Sequence, residues 1–264
     1  MKSSHDSIPQ RQGSRINIMY PRLQRSLITA AVTLLVAVTP AVAQYEDAPK
    51  SKKPAAPAGP APRTPDGKPD LSGLWNIPYV PDMSKGIDPL PFTAWGAENF
   101  KQYDPAKFDY TAHCLPAGLT RQMNTPMPLE IFQSPKRVAI LWEAWNTFHV
   151  IPIDRDHPKD LEPTWMGNSV GHWEGETLVV DSIGFNERTR LDTIGHPHTD
   201  ALHVIEKFQR TDSQHLAYEV TIEDPKAYTK PWKNNRVFQL RPDWELMEYS
   251  CEENNKEIRE GLVK

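Results

Sequence analysis

The chain has 264 residues and a formal net charge of −4, with 26 prolines, 13 glycines and two cysteines. Its one basic run, Lys50-Ser51-Lys52-Lys53, lies in a proline-rich stretch, so the clustered basic face that nucleic acid or an anionic membrane surface requires is missing. The chain beyond that stretch has the length of one domain.

In chain order, Arg22 and Arg25 precede the apolar run Leu27–Val38, Pro40 breaks it, and Ala41-Val42-Ala43 supplies a small-x-small pattern before Gln44. These are the parts of a secretory signal peptide, which predicts cleavage after residue 43 and a periplasmic or secreted protein. The run is shorter than the ~20 residues of a spanning helix and no second one follows, so no transmembrane segment is expected after processing. Met19 is an alternative start. Removing five basic residues and one acidic residue with this segment leaves a mature net charge of about −8.

From Glu46 to Asp70 the chain is rich in proline, alanine and lysine and has no large apolar residue. Such a segment cannot bury enough surface to offset its ordering entropy, so residues 44–70 are expected to be a disordered tether and residues 71–264 a single β-rich domain.

The first predicted strand is Leu74–Val80. A long excursion from Pro81 to Met127 comes next, with one short helix over Thr93–Tyr103, where Phe92, Trp95, Phe100 and Tyr103 share a face. After Pro128 the texture becomes short apolar runs cut by turn signals. Leu129–Gln133 and Arg137–Glu143 flank Ser134-Pro135-Lys136, Thr147–Ile153 follows Asn146, and Trp173 and Thr177–Asp181 flank Glu174-Gly175-Glu176. Ala201–Arg210, His215–Ile222, Val237–Leu240 and Glu245–Cys251 complete a set of roughly eight antiparallel strands. Strands of this number close into a barrel that holds one small ligand, the alternative being a β-sandwich. Cys114 and Cys251, bound for an oxidising compartment, are expected to pair; the competing reading is a reactive Cys114 thiol beside His113.

Gly73-Leu74-Trp75 resembles the Gly-x-Trp that opens lipocalin-type (calycin) barrels, and this resemblance favours barrel over sandwich. Longer phrases, among them Thr64-Pro-Asp-Gly-Lys-Pro-Asp-Leu-Ser-Gly-Leu-Trp75, Pro163-Thr-Trp-Met-Gly167, Gly195-His-Pro-His-Thr-Asp-Ala-Leu-His203 and Asp224-Pro-Lys-Ala-Tyr-Thr-Lys-Pro-Trp232, resemble a family of exported bacterial proteins without an established activity. That resemblance implies export and no particular chemistry.

The densest polar cluster is His196-Pro-His198-Thr-Asp200-Ala-Leu-His203, followed by Glu206. Neutral imidazoles suit a divalent transition metal such as zinc, iron, copper or nickel, which makes His196, His198 and His203 candidate ligands. Without metal, His196, His198 and Glu206 are candidate catalytic acid/base groups of a hydrolase or lyase. Strand alternation from Asp200 turns Leu202, Val204, Glu206 and Phe208 to one face, so Glu206 is expected among apolar residues with a raised pKa. A structural inward carboxylate is the alternative. Trp165, His149, His172, Trp173, Tyr228 and Trp232 sit beside proline, glycine or polar neighbours or on apolar faces, and are candidate lining for a pocket that takes a small, partly apolar molecule. Gly167-Asn-Ser169-Val-Gly171 matches Gly-x-Ser-x-Gly but lacks the strand-then-helix setting of a nucleophile elbow. The leading expectation is a small-molecule-binding barrel; the enzyme is the alternative.

Overall fold

Turn chemistry sets the hairpins. Gly175, at φ 59°, closes β5 (Asn168–Glu174) onto β6 (Thr177–Ile183), and Pro135-Lys136 closes β2 (Leu129–Ser134) onto β3 (Arg137–Trp142). With β1 (Gly73–Asn76), β4 (Phe148–Pro152), β7 (His203–Arg210), β8 (His215–Glu223) and β9 (Trp232–Leu240), the computed structural model, which describes residues 58–253, has nine strands. They form one antiparallel sheet in the order β4-β3-β2-β1-β9-β8-β7-β6-β5, curled into a nearly closed barrel. The expected signal peptide and residues 44–57 lie outside the described residues. Among the described residues no helix is long and apolar enough to cross a membrane.

An odd number of alternating strands leaves the two edges pointing the same way. The seam between β4 and β5 is therefore parallel, through an Ile153–Gly171 bridge in which Asp154 N–H donates to Gly171 O at 2.8 Å. Gly171 permits the approach: a Cβ there would stand 2.9 Å from Ile153 Cδ1.

Alternation fills the barrel. Val204 and Phe208 of β7, Leu216, Tyr218, Val220 and Ile222 of β8, and Leu129, Ile131, Val138, Ile140 and Trp142 of β2 and β3 are all buried. Trp75 of the Gly-Leu-Trp phrase is fully buried, and its indole N–H donates to Leu71 O at 3.0 Å.

One end is plugged by the excursion between β1 and β2 together with the β6–β7 and β8–β9 loops. Helix α1 (Ala94–Gln102) begins at Thr93, whose hydroxyl caps Gly96 N–H at 3.0 Å, and Thr93 N–H donates to Ala227 O at 2.9 Å. After the short helix α2 (Pro105–Phe108), helix α3 (Leu119–Gln122) is buried along its whole length. The Cys114–Cys251 disulfide ties this plug to the C-terminal segment.

The expected Thr93–Tyr103 helix and the barrel architecture agree with the structure; several boundaries do not, and β5 and β9 begin well before the expected Trp173 and Val237. Residues 58–70 pack against the barrel, because the Thr64-Pro65-Asp66-Gly67 turn satisfies its own backbone and Arg63 reaches Glu176 at 2.7 Å. The expected strand Glu245–Cys251 forms no ladder: both sides of β9 are taken by β1 and β8, and this segment is held by side chains, as in Met247 N–H to Glu143 at 2.9 Å. The first strand stops at Asn76, before Pro78, which has no N–H to donate.

Candidate functional site

On β9 the pleat sends Trp232, Asn234, Arg236 and Phe238 toward the interior. Three of these four carry polar groups that are shielded from solvent and have no hydrogen-bond partner among the described residues: Trp232 Nε1, Asn234 Oδ1, and both Nε and Nη2 of Arg236. Gln122 Oε1 of the plug and Trp142 Nε1 of β3 are in the same condition. Each such group costs on the order of 1–3 kcal/mol if nothing satisfies it, and folded proteins keep very few. Successive inward positions of one strand thus form a row of unmet polar groups.

The rest of each side chain is firmly held. Arg236 Nη1 donates to Asn124 Oδ1 and, at 3.2 Å, to Met123 O, both from the plug just after α3. Asn234 Nδ2 donates to Met83 O at 2.8 Å. The Tyr218 ring lies 5.1 Å from the Arg236 guanidinium, and its hydroxyl donates to Glu206 Oε1 at 2.8 Å. Register sets these neighbours: Glu206 faces Val220 and Val220 faces Asn234, so β7, β8 and β9 meet at one level.

Glu206 points inward as the alternation predicts. Burial pushes its carboxyl up to about 7, while the Tyr218 hydroxyl and the Arg236 charge pull it back. Burial also lowers the pKa of the Arg236 guanidinium and holds the Tyr218 phenol well above its usual range. Glu206 and Arg236 are linked through Tyr218 instead of through a direct ion pair.

One tier nearer the plug, His149 Nε2 bonds Ser169 Oγ at 2.6 Å across the seam, and Ser169 bonds Ser182. The register Ser169–Ser182–Val204–Ile222–Trp232 places this relay and Trp232 in the same tier. Desolvation alone pushes His149 down to about 4, so the imidazole is neutral at pH 7. Ser169 sits on a strand, and among the described residues no carboxylate orients His149, so the pair lacks the third member of a triad.

The histidine cluster divides. His196, stacked on Phe100 with ring centroids 4.6 Å apart, donates from Nδ1 to Asp192 Oδ2 at 2.6 Å. His198 bonds Thr189 Oγ1 at 2.6 Å and Thr199 O at 3.1 Å, and burial lowers its pKa. His203 lies on the outer face of β7, between Asp181 at 2.8 Å and Glu223 at 3.1 Å, and Asp181 continues to His157 at 3.0 Å. Both ring nitrogens of His198 and of His203 are thus engaged, and the three imidazoles do not converge as a metal site.

A different trio, Asp82, Asp192 and His196, brings one ligand atom each within 4.8 Å of the others. Asp192, however, already accepts four hydrogen bonds, from Met83 N, Gly195 N, His196 N and His196 Nδ1. Those bonds organise the loop, and a cation would have to break them, so the donor set fits a loop staple better than a metal.

Of the expected pocket residues, His149 and Trp232 face the interior, and Tyr228 packs behind Trp232 at 5.4 Å, with its hydroxyl on Pro197 O. The structure does not bring the others to them. His172 is exposed beside Glu174, Trp173 closes the opposite end under Lys68 at 5.6 Å, and Trp165 lies outside the barrel against Tyr110 and Arg188. Sequence reasoning missed Arg236, Asn234, Tyr218 and Gln122. The one available signal was the inward phase of Glu206, since a buried carboxylate calls for partners on adjacent strands.

No protein-family model, curated protein or solved structure matches the chain.

Proposed function

We propose that this is an exported protein that binds a small, partly apolar molecule inside its barrel, with the ligand lying along β9 beneath the α3 plug. The observation that carries this reading is the row of unpartnered polar groups on Trp232, Asn234 and Arg236, set among aromatic and aliphatic side chains. A few placed polar groups in an apolar enclosure are the usual make-up of a small-molecule site. Export to a periplasmic or extracellular location is supported by the signal-peptide pattern and by the Cys114–Cys251 bridge, which suits an oxidising compartment.

The hydrolase or lyase reading draws support from Glu206, whose pKa near 7 suits acid/base work. It is the weaker of the two, because His196 and His198 are committed to Asp192, Thr189 and Thr199 and lie in loops while Glu206 lies on β7.

The test is uptake of N-phenyl-1-naphthylamine, a neutral apolar dye, by the mature protein, read by dye fluorescence and by native mass spectrometry. Saturable uptake of one molecule per chain, weakened at least several-fold by Trp232→Ala, is the expected result. Absence of uptake, or uptake that Trp232→Ala leaves unchanged, would contradict the interior site.

A further inference from the structure

We propose that the natural ligand carries a carboxylate, received side-on by Nε and Nη2 of Arg236; this rests on the interior-site reading above.

A guanidinium offers five N–H donors in one plane. In Arg236 the Nη1 end is engaged by Asn124 Oδ1 and Met123 O, while Nε and Nη2 are unpartnered and sealed from solvent. Those two nitrogens share one edge of the guanidinium, and their parallel N–H bonds match the two oxygens of a carboxylate. A single hydroxyl or carbonyl oxygen would have to be shared by both N–H groups, with neither bond well aligned. The plane is not free to turn away: the plug holds one end of it, and the Tyr218 ring lies alongside at 5.1 Å.

Charge points the same way. A buried guanidinium without a counter-charge is strongly destabilising. The acidic group nearest in this arrangement is Glu206, on the far side of the Tyr218 ring that stacks on the guanidinium; it binds the Tyr218 hydroxyl and is held toward its neutral form by burial. A ligand carboxylate would supply the missing charge. It would also explain why an arginine, and not a neutral donor, stands at this position.

The neighbouring groups narrow the class. Asn234 Oδ1 is an unmet acceptor two residues along the same strand face, roughly 7 Å from Arg236 along the strand. It calls for a hydroxyl or N–H on the ligand at about that distance from the carboxylate. A hydroxylated aromatic or alicyclic acid has both groups and an apolar body to lie between them.

4-Hydroxybenzoate and its uncharged counterpart 4-hydroxybenzamide serve as probes on the intact mature protein. Calorimetry should show the acid binding at least tenfold more tightly than the amide, and Arg236→Gln should remove that preference. Should the variant not fold, the wild-type protein still decides, because in arginine-labelled NMR the Arg236 Nε–H resonance should move with the acid and stay in place with the amide. A protein that takes up N-phenyl-1-naphthylamine but binds acid and amide equally, with the Arg236 resonance unmoved, overturns the carboxylate and leaves the interior site standing. Failure to take up the dye or either probe overturns both.

Discussion

Glu206 and His149 are buried titratable groups whose effects on stability run in opposite directions with pH. The Glu206 carboxyl, pushed up to about 7, resists ionisation in the fold, so stability falls as pH rises from its unfolded value near 4.5 and levels off above 7. The His149 imidazole, pushed down to about 4, resists protonation, so stability falls as pH drops from 6.5 toward 4. Each effect is on the order of 3 kcal/mol. Between pH 4.5 and 6.5 the two oppose each other, with His198 adding to the His149 side. Urea unfolding of Glu206→Gln should therefore show a stability gain over wild type that grows by up to about 3 kcal/mol between pH 5 and 8. His149→Gln should flatten the loss toward acid pH. A difference from wild type that does not change with pH would contradict the burial of either group. The inward phase of Glu206 was legible in the sequence because its neighbours Val204 and Phe208 alternate with it. Arg236 was not legible, since an inward arginine between Asn234 and Phe238 has the same pattern as a solvated turn.

At the scale of elements, helix α1 rests on the β8–β9 loop through a glycine that cannot be replaced cheaply. Gly→Ala in a helix ordinarily gains up to about 1 kcal/mol. At Gly96 the added Cβ would stand 2.2 Å from the Ala227 carbonyl oxygen, a backbone atom with no freedom to step aside. Gly96→Ala should therefore destabilise by roughly 1–3 kcal/mol. At Gly171, on the seam, the obstacles are the methyl ends of Ile153 and Ile151 at 2.9 and 3.0 Å, which can shift, so Gly171→Ala should cost less. Thermal unfolding of the two variants checks the order, and equal losses would contradict it. The hairpins were legible because Gly175 and Pro135 mark them directly. The full extent of β5 and β9 was not, because Ser169, Asn234 and Arg236 are polar residues turned inward. Glu245–Cys251 misled for the opposite reason: its composition suits a strand, but β9 has no free side for it to join.

For the whole molecule, the barrel, its plug and the C-terminal segment are joined covalently as well as by packing. The Cys114–Cys251 bridge closes a loop with a sequence separation of 137. In the chain-entropy model such a loop is worth about 5 kcal/mol, so Cys114→Ser with Cys251→Ser, or reductant, should lower the urea midpoint sharply. An unchanged midpoint would show that the bridge does not restrain the unfolded chain. The plug that this bridge ties down also holds Arg236 through Met123 and Asn124, so in the proposed reading the bridge shapes the site as well as the fold. A high-resolution crystal structure of the mature protein, purified after export and read at the free edge of Arg236, decides whether the barrel is a binding site. The predicted result is an organic molecule in the barrel with two oxygens in hydrogen-bond reach of Nε and Nη2. Water alone along β9, or Arg236 paired directly with Glu206, would contradict it.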